Sequence, residues 1–262
     1  MTFELDAATN SVSTGPGTRS VELTDAWNTP AGTANGGYLL AILLRAALEE
    51  SDKPDPLSVA VTYLKPTTPG PAELTVTPVR EGRRVATYTV VLSQAGSPIT
   101  HAVVSLHDAD LAGDQQHDDD VAPAVPAPAD GIDPMEGWPA GTIPIADRYT
   151  TRHAAVPGWL AGTPSGRPEA AFWIRPVDER PVDAFAAGAI VDAYPPVAAE
   201  LGQIASATIQ LTVHFWRRFT SDWVLMEVVT RRIVDGFHDE DVRLWDTEGR
   251  LVATSRQLAL LS

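Results

Sequence analysis

The chain predicts an α+β fold of two tandem repeats, each a curved antiparallel sheet wrapped around one buried helix. Three observations carry that reading. Residues 58–106 and 208–261 repeat one order of features: an alternating strand, a Val-rich strand, an Arg-containing turn, a further strand and a Gly-turned hairpin. The first strand of each copy ends in an aromatic-apolar-basic run, Tyr63-Leu64-Lys65-Pro66 and Phe215-Trp216-Arg217-Arg218. An unusually apolar helix precedes that strand in each copy. A period of ~150 residues is too long for a solenoid. The repeat therefore implies two fused copies of a small domain, with function expected where they meet.

Taken in order, residues 2–6 and 19–24 predict strands and 27–30 a loop. Asn35 is placed to cap a helix running from 36 to 50. Its apolar residues, Tyr38 to Leu44 and Ala46 to Leu48, surround nearly the whole circumference, with Arg45 the one charged interruption before Glu49 and Glu50. A helix apolar on all sides belongs in a core. Strands are predicted at 58–64, 72–81, 84–94 and 98–106. Residues 107–140 then lose periodicity and fill with Asp, Ala and Pro, the composition of a flexible tether or surface excursion. Strands resume at 147–152 and 169–177, and a second apolar helix covers 182–191. Asp192 ends it and Pro195-Pro196 prevent continuation. Four strands at 207–215, 223–231, 238–246 and 250–260 complete the chain. The predicted division is an N-terminal unit at 1–107, an acidic linker at 108–146 and a C-terminal unit at 147–262.

Composition narrows the function. The 262 residues are 44% hydrophobic, enough for a substantial core, and carry a formal charge of −15. That field argues against nucleic acid or anionic membranes as partners. Eight Asp and no Lys or Arg lie between Asp108 and Asp133, so the two units are more balanced than the total. The absence of cysteine excludes a thiol nucleophile, a thiolate metal site and disulfides. No basic and apolar leader opens the chain, and no apolar run reaches the ~20 residues of a membrane span. A soluble, cytoplasmic protein is expected. His117-Asp118-Asp119-Asp120 lacks the turn glycine and ordered spacing of a cation loop and reads as solvated. The six histidines show no ligand spacing, and there is no G-x-S-x-G, phosphate loop or dinucleotide fingerprint.

Three polar residues stand out. Asp192 closes an apolar helix, where the negative end of the helix dipole and partial burial would both raise its pKa and strengthen it as a base; a helix end reaching solvent is the plainer reading. Thr208 opens the strand Thr208-Ile209-Gln210-Leu211-Thr212-Val213-His214-Phe215. Strict alternation there puts Ile209, Leu211, Val213 and Phe215 on the core face and Thr208, Gln210, Thr212 and His214 on the other. Thr is common in strands for structural reasons alone. Gln257 shares a face with Leu251, Ala253, Ser255 and Ala259, so its amide needs buried partners, and a structural bond to backbone would satisfy it equally.

These residues resemble the type II acyl-CoA thioesterases, a family with a double hotdog fold. In the N-terminal half the resemblance rests on Asn35-Gly36-Gly37, Tyr63-Leu64-Lys65-Pro66 and Arg80-Glu81-Gly82-Arg83. In the C-terminal half it rests on Asp192, on Ala207-Thr208-Ile209 and on the run from Gly249 to Gln257. The family's catalytic Asp, Thr and Gln match Asp192, Thr208 and Gln257. The resemblance implies hydrolysis of an acyl thioester by a water that Asp192 activates and Thr208 and Gln257 hold, without metal or cofactor. Attack by Asp192 itself, through an anhydride, stays open at this level.

The same resemblance implies that amides at Gly36 and Gly37 bind the oxyanion, with Tyr38 and Trp216 near the substrate. Tyr38 stands where the family usually has Gln, and Trp216-Arg217-Arg218 replaces its His-Arg-Pro. Polyanionic coenzyme A would need local cations, and Arg217, Arg231 and Arg256 are the main candidates, with Arg83, Arg84, Arg218 and Arg232 behind them. Without such a cluster beside the catalytic trio, an acyl-carrier protein or smaller thiol carrier is the expectation. A non-catalytic acyl-binding module is the competing reading; a hydratase lacks its Asp-His pair. A homo-oligomer is expected, because a fused pair leaves sheet edges and faces exposed.

Overall fold

The computed structural model describes residues 2–111 and 113–261. Its strands form one continuous sheet. The N-terminal half supplies β1 (Ser11–Gly15), β2 (Thr18–Leu23), β3 (Asp55–Tyr63), β4 (Gly70–Glu81), β5 (Val85–Gln94) and β6 (Ser97–His107). The C-terminal half supplies β7 (Tyr149–Arg152), β8 (Glu169–Pro176), β9 (Ser206–Phe215), β10 (Val224–Val229), β11 (Ile233–Val234), β12 (Phe237–Trp245) and β13 (Leu251–Leu261). The order is β1-β2-β4-β5-β6-β3-β9-β13-β12-β10-β8-β7, with β11 paired to β12. The seam between halves is the antiparallel pair β3–β9, running from Ser58 opposite His214 to Thr62 opposite Gln210. Arg218 reinforces it by holding Asp55 at 2.8 and 2.7 Å.

Against the inner face lie the helices α2 (Gly36–Glu49) and α3 (Ala184–Ile190), capped by Asn35 and Asp183 through bonds to the Tyr38 and Ala186 amides. Both are buried almost all round, as their composition predicts. Small residues let them approach closely: a Cβ on Gly37 would overlap the Ala189 carbonyl, and one on Gly188 would stand 3.1 Å from Leu40. The helices run antiparallel. Asp192, just past the end of α3, meets the start of α2, whereas Arg45 near the end of α2 stacks 4.4 Å over Phe185 at the start of α3.

That second pole is filled by charge. Arg45 and Arg180 both bind Asp6, and Arg180 also binds Asp183. Asp6 belongs to a short helix, α1 (Glu4–Ala8), where the sequence predicts a strand at 2–6. Tertiary contacts decide the difference: Leu5 enters the core, Thr9 bonds the Leu5 carbonyl, and Asp6 is drawn between two guanidiniums. Local propensity is weak beside such contacts.

The acidic segment crosses the outer face of the C-terminal sheet. Ala122 and Val125 pack on Leu225, Trp245 and Leu251, and Trp173 donates to the Pro126 carbonyl at 2.9 Å. Among the described residues no group of His, Asp or Glu could hold a metal, and no helix is long and apolar enough to cross a membrane.

Candidate active site

Asp192 sits half-buried at the junction of the two helices. Its Oδ2 accepts from the Gly37 amide at 3.1 Å and from Asn35 Nδ2 at 3.2 Å, while the Asn35 amide also holds the Asp192 carbonyl at 2.6 Å. One aspartate therefore faces two dipoles, the negative end of α3 and the positive end of α2. Burial outweighs the donors. It pushes the carboxyl up to about 6, against the opposing pull of the Gly37, Gly36 and Asn35 donors. Glycine is required at both amides. A Cβ on Gly36 would come within 2.7 Å of Asp192 Oδ2, as well as crowding Tyr63. The Tyr63 hydroxyl donates to the Gly36 carbonyl at 2.7 Å, and the negative charge of Asp192 reaches both Tyr63 and Tyr149.

Thr208 and Gln257 meet directly, Thr208 Oγ1 donating to Gln257 Oε1 at 3.3 Å. Strict alternation would have turned Thr208 away. A bulge corrects its direction: Gln210 pairs with Leu258, but Thr208 pairs with the next residue, Ala259, so Ile209 is the extra residue. Such an insertion reverses the phase of every residue beyond it. Thr208 and Ser206 thus share the inner face with Gln257 and Ala259.

Glu240, which the sequence reading did not single out, completes the cluster. It lies opposite Gln257 on β12, accepts from Gln257 Nε2 at 3.2 Å and from the Val197 amide at 2.9 Å, and is 5% exposed. Burial, with the nearby charge of Asp192 as a further cause, pushes it up to about 8. The available signal was periodic: Glu240 is in phase with the apolar Val242 and Leu244. Val197 belongs to the segment that follows Asp192, and beside that segment lies a cavity of about 150 Å³ lined by His153, Trp159, Ala170, Tyr194 and Val197. Asp192 makes no hydrogen bond to Thr208 or Gln257 among the described residues; its charge is one of the lesser causes that raise Glu240.

The remaining expectations fare differently. The Gly36 and Gly37 amides face the Asp192 carboxylate, which takes the place expected for an oxyanion. Tyr38 points elsewhere, its hydroxyl donating to the Ala8 carbonyl at 3.0 Å and its ring stacked on Trp27, because a fully buried phenol needs a local acceptor. Trp216 is exposed and bonds Thr254, eight residues from Thr208, or about 26 Å along the strand. Five of the seven candidate arginines are paired with aspartates of the same chain. Arg217 binds Asp118, Arg218 binds Asp55 and Asp110, Arg232 binds Asp239, and Arg231 and Arg256 share Asp241. Arg256 follows strand alternation to the outer face, opposite to its neighbour Gln257. Arg83 and Arg84 sit exposed in the β4–β5 turn with no ion pair among the described residues.

Comparison with known proteins bears on this geometry. Residues 23–107 match the acyl-CoA thioesterase N-terminal domain family and residues 118–261 the acyl-CoA thioesterase C-terminal domain family. An uncharacterized protein of Mycobacterium tuberculosis H37Rv is 26% identical over an alignment of 270 positions, gaps included, that covers 92% of this chain and 89% of the relative. A candidate thioesterase II from Thermobifida fusca YX superimposes with a TM-score of 0.84 at 27% identity, over 99% of this chain and 98% of that one. A protein of unknown function with a hot dog fold from Alicyclobacillus acidocaldarius gives 0.90 at 22% identity, over 100% and 99%.

Proposed function

Because this chain belongs to the acyl-CoA thioesterase family and has its double hotdog fold, we propose that it hydrolyses an acyl-CoA through Asp192, Thr208 and Gln257. One observation supports this above the rest. A desolvated carboxylate is held at the start of α2, close enough to act electrostatically on the Glu240–Gln257–Thr208 chain. At about 6 its affinity for protons is well above that of an ordinary aspartate, yet it stays largely ionised at neutral pH, the condition a general base needs.

In this reading Asp192 takes a proton from a water held by Thr208 and Gln257, and the water oxygen attacks the thioester carbonyl carbon. Collapse of the tetrahedral species breaks the carbon–sulfur bond, and the proton on Asp192 passes to the departing thiolate. Holding the water removes much of the entropic cost of attack. The cavity beside Tyr194 and Val197 offers a wall for the acyl group. Exposed Phe237 and Leu260, which face each other across β12 and β13, support a homo-oligomer, and a cytoplasmic location fits the cysteine-free composition.

The deciding experiment mixes purified protein with a panel of acyl-CoA esters and a thiol reagent. Thiol release that falls at least about 100-fold in Asp192→Asn supports the proposal. Acyl-CoA retained without release, equally by wild type and variant, would assign the molecule to acyl binding instead.

A further inference from the structure

The two oxygens of Glu240 have unequal freedom. Oε2 faces the Val197 amide, a fixed backbone donor, and always accepts. Oε1 faces Gln257 Nε2. While Glu240 is a carboxylate, Oε1 only accepts, so Gln257 turns its NH2 there and its carbonyl toward Thr208. Once Glu240 is protonated, the proton sits on Oε1, because Oε2 already meets a donor. Oε1 then donates, and Gln257 satisfies it by turning its carbonyl around and its NH2 toward Thr208.

We propose that Glu240 is a positioning residue whose ionisation selects which end of the Gln257 amide faces Thr208 and the water. The inference rests on the hydrolysis reading above. A carbonyl facing the water accepts its second proton and leaves an oxygen lone pair free for attack. An NH2 group occupies that lone pair, so the ionised form of Glu240 is the faster one.

The groups around Glu240 place its titration apart from theirs. Burial and then the charges of Asp192 and Asp241 push Glu240 up to about 8, with Asp192 itself at about 6. Burial holds His238, two residues along the same face and bonded to Ser206, below its ordinary value, so it is already neutral across the upper step. Tyr194, on the neighbouring segment, is pushed up to about 12 by burial and does not titrate in this range. Activity should therefore rise in two steps.

The test is kcat and KM for thiol release from about pH 5 to 10 in wild type, E240Q, Q257L and D192N. In E240Q the new amide must give its carbonyl to Val197, which leaves NH2 toward Gln257 at every pH and mimics the protonated state. We expect E240Q to keep the step near pH 6, lose the one near pH 8, and run about tenfold below wild type at pH 9 with KM changed less than about twofold. Q257L should lose the upper step as well. A single-step wild-type profile overturns the inference without any variant. So does an upper step that survives in E240Q, or one that survives in Q257L, which would mean that Glu240 acts on Asp192 directly. Undiminished release by D192N would sink the role of Asp192 as base instead, and no release by wild type would sink the hydrolysis reading, both distinct outcomes.

Discussion

Asp192→Asn should make the protein more stable while removing its activity. Lifting the carboxyl from 3.8 to about 6 corresponds to about 3 kcal/mol of preference for the neutral form in the fold. Because Asp192 is half-buried, water screens part of this, and about 1–3 kcal/mol is the expected range. The sign follows from proton uptake: between pH 3.8 and about 6 the folded state binds more protons than the unfolded one. Wild-type stability from this group is therefore complete below 3.8 and is lost as pH rises through about 6. Asparagine never ionises, yet its carbonyl can still accept from the Gly37 amide. Urea titrations at pH 4 and pH 8 read the difference. At pH 8 the variant midpoint should exceed wild type by roughly half a molar or more, and the gap should shrink toward zero at pH 4. A variant less stable than wild type at pH 8, or a gap independent of pH, would refute the idea that Asp192 is held against its own charge.

The other expectations concern separate parts of the structure. Thr208→Val keeps the shape but removes the hydroxyl that bonds Gln257, so thiol release should fall about tenfold with an unchanged circular dichroism spectrum. Gly37→Ala drives a methyl into the Ala189 carbonyl and should cost about 1–3 kcal/mol in urea titration, with activity lost as the helices separate. Arg218→Ala frees Asp55, whose carboxyl the guanidinium holds below the ordinary range, so the urea midpoint should drop at neutral pH. That deficit should fade below about pH 4, where free aspartate protonates anyway.

How legible the molecule was in sequence depended on whether the signal was local. The helix 36–49 could be read because Tyr38 through Leu48 leave no solvent face, and Asn35 capped it as expected. The strands on either side of the seam alternate openly, and the four that follow each helix were found within a few residues of their ends. Asp192 and Gln257 were found from their positions at a helix end and on a small-residue face. What could not be read depends on pairing between distant strands. The direction of Thr208 turns on the extra residue at Ile209, and a bulge exists only relative to a partner strand. Glu240 sits in the polar run His238-Asp239-Glu240-Asp241, which by composition belongs in water; only its place opposite Gln257 gives it a buried acceptor role. The candidate arginines were chosen for charge alone, and the neighbouring aspartates that neutralise them lie up to 163 residues away.

The two packed helices give this molecule a pair of junctions, one at each pole, and the two differ in kind. At one, a carboxylate rests on glycine amides with no cationic side chain bonded to it among the described residues. At the other, Arg45, Arg180, Asp6 and Asp183 cancel among themselves: Asp6 joins both guanidiniums, and Arg180 joins both carboxylates. Asp6 arrives on α1, a turn and a half of α-helix with no α-helical counterpart ahead of β7 among the described residues. This small addition works as a plug. It sets a salt-bridged junction at one end of the helix pair against the junction at Asp192, where the hydrolysis proposed above would take place.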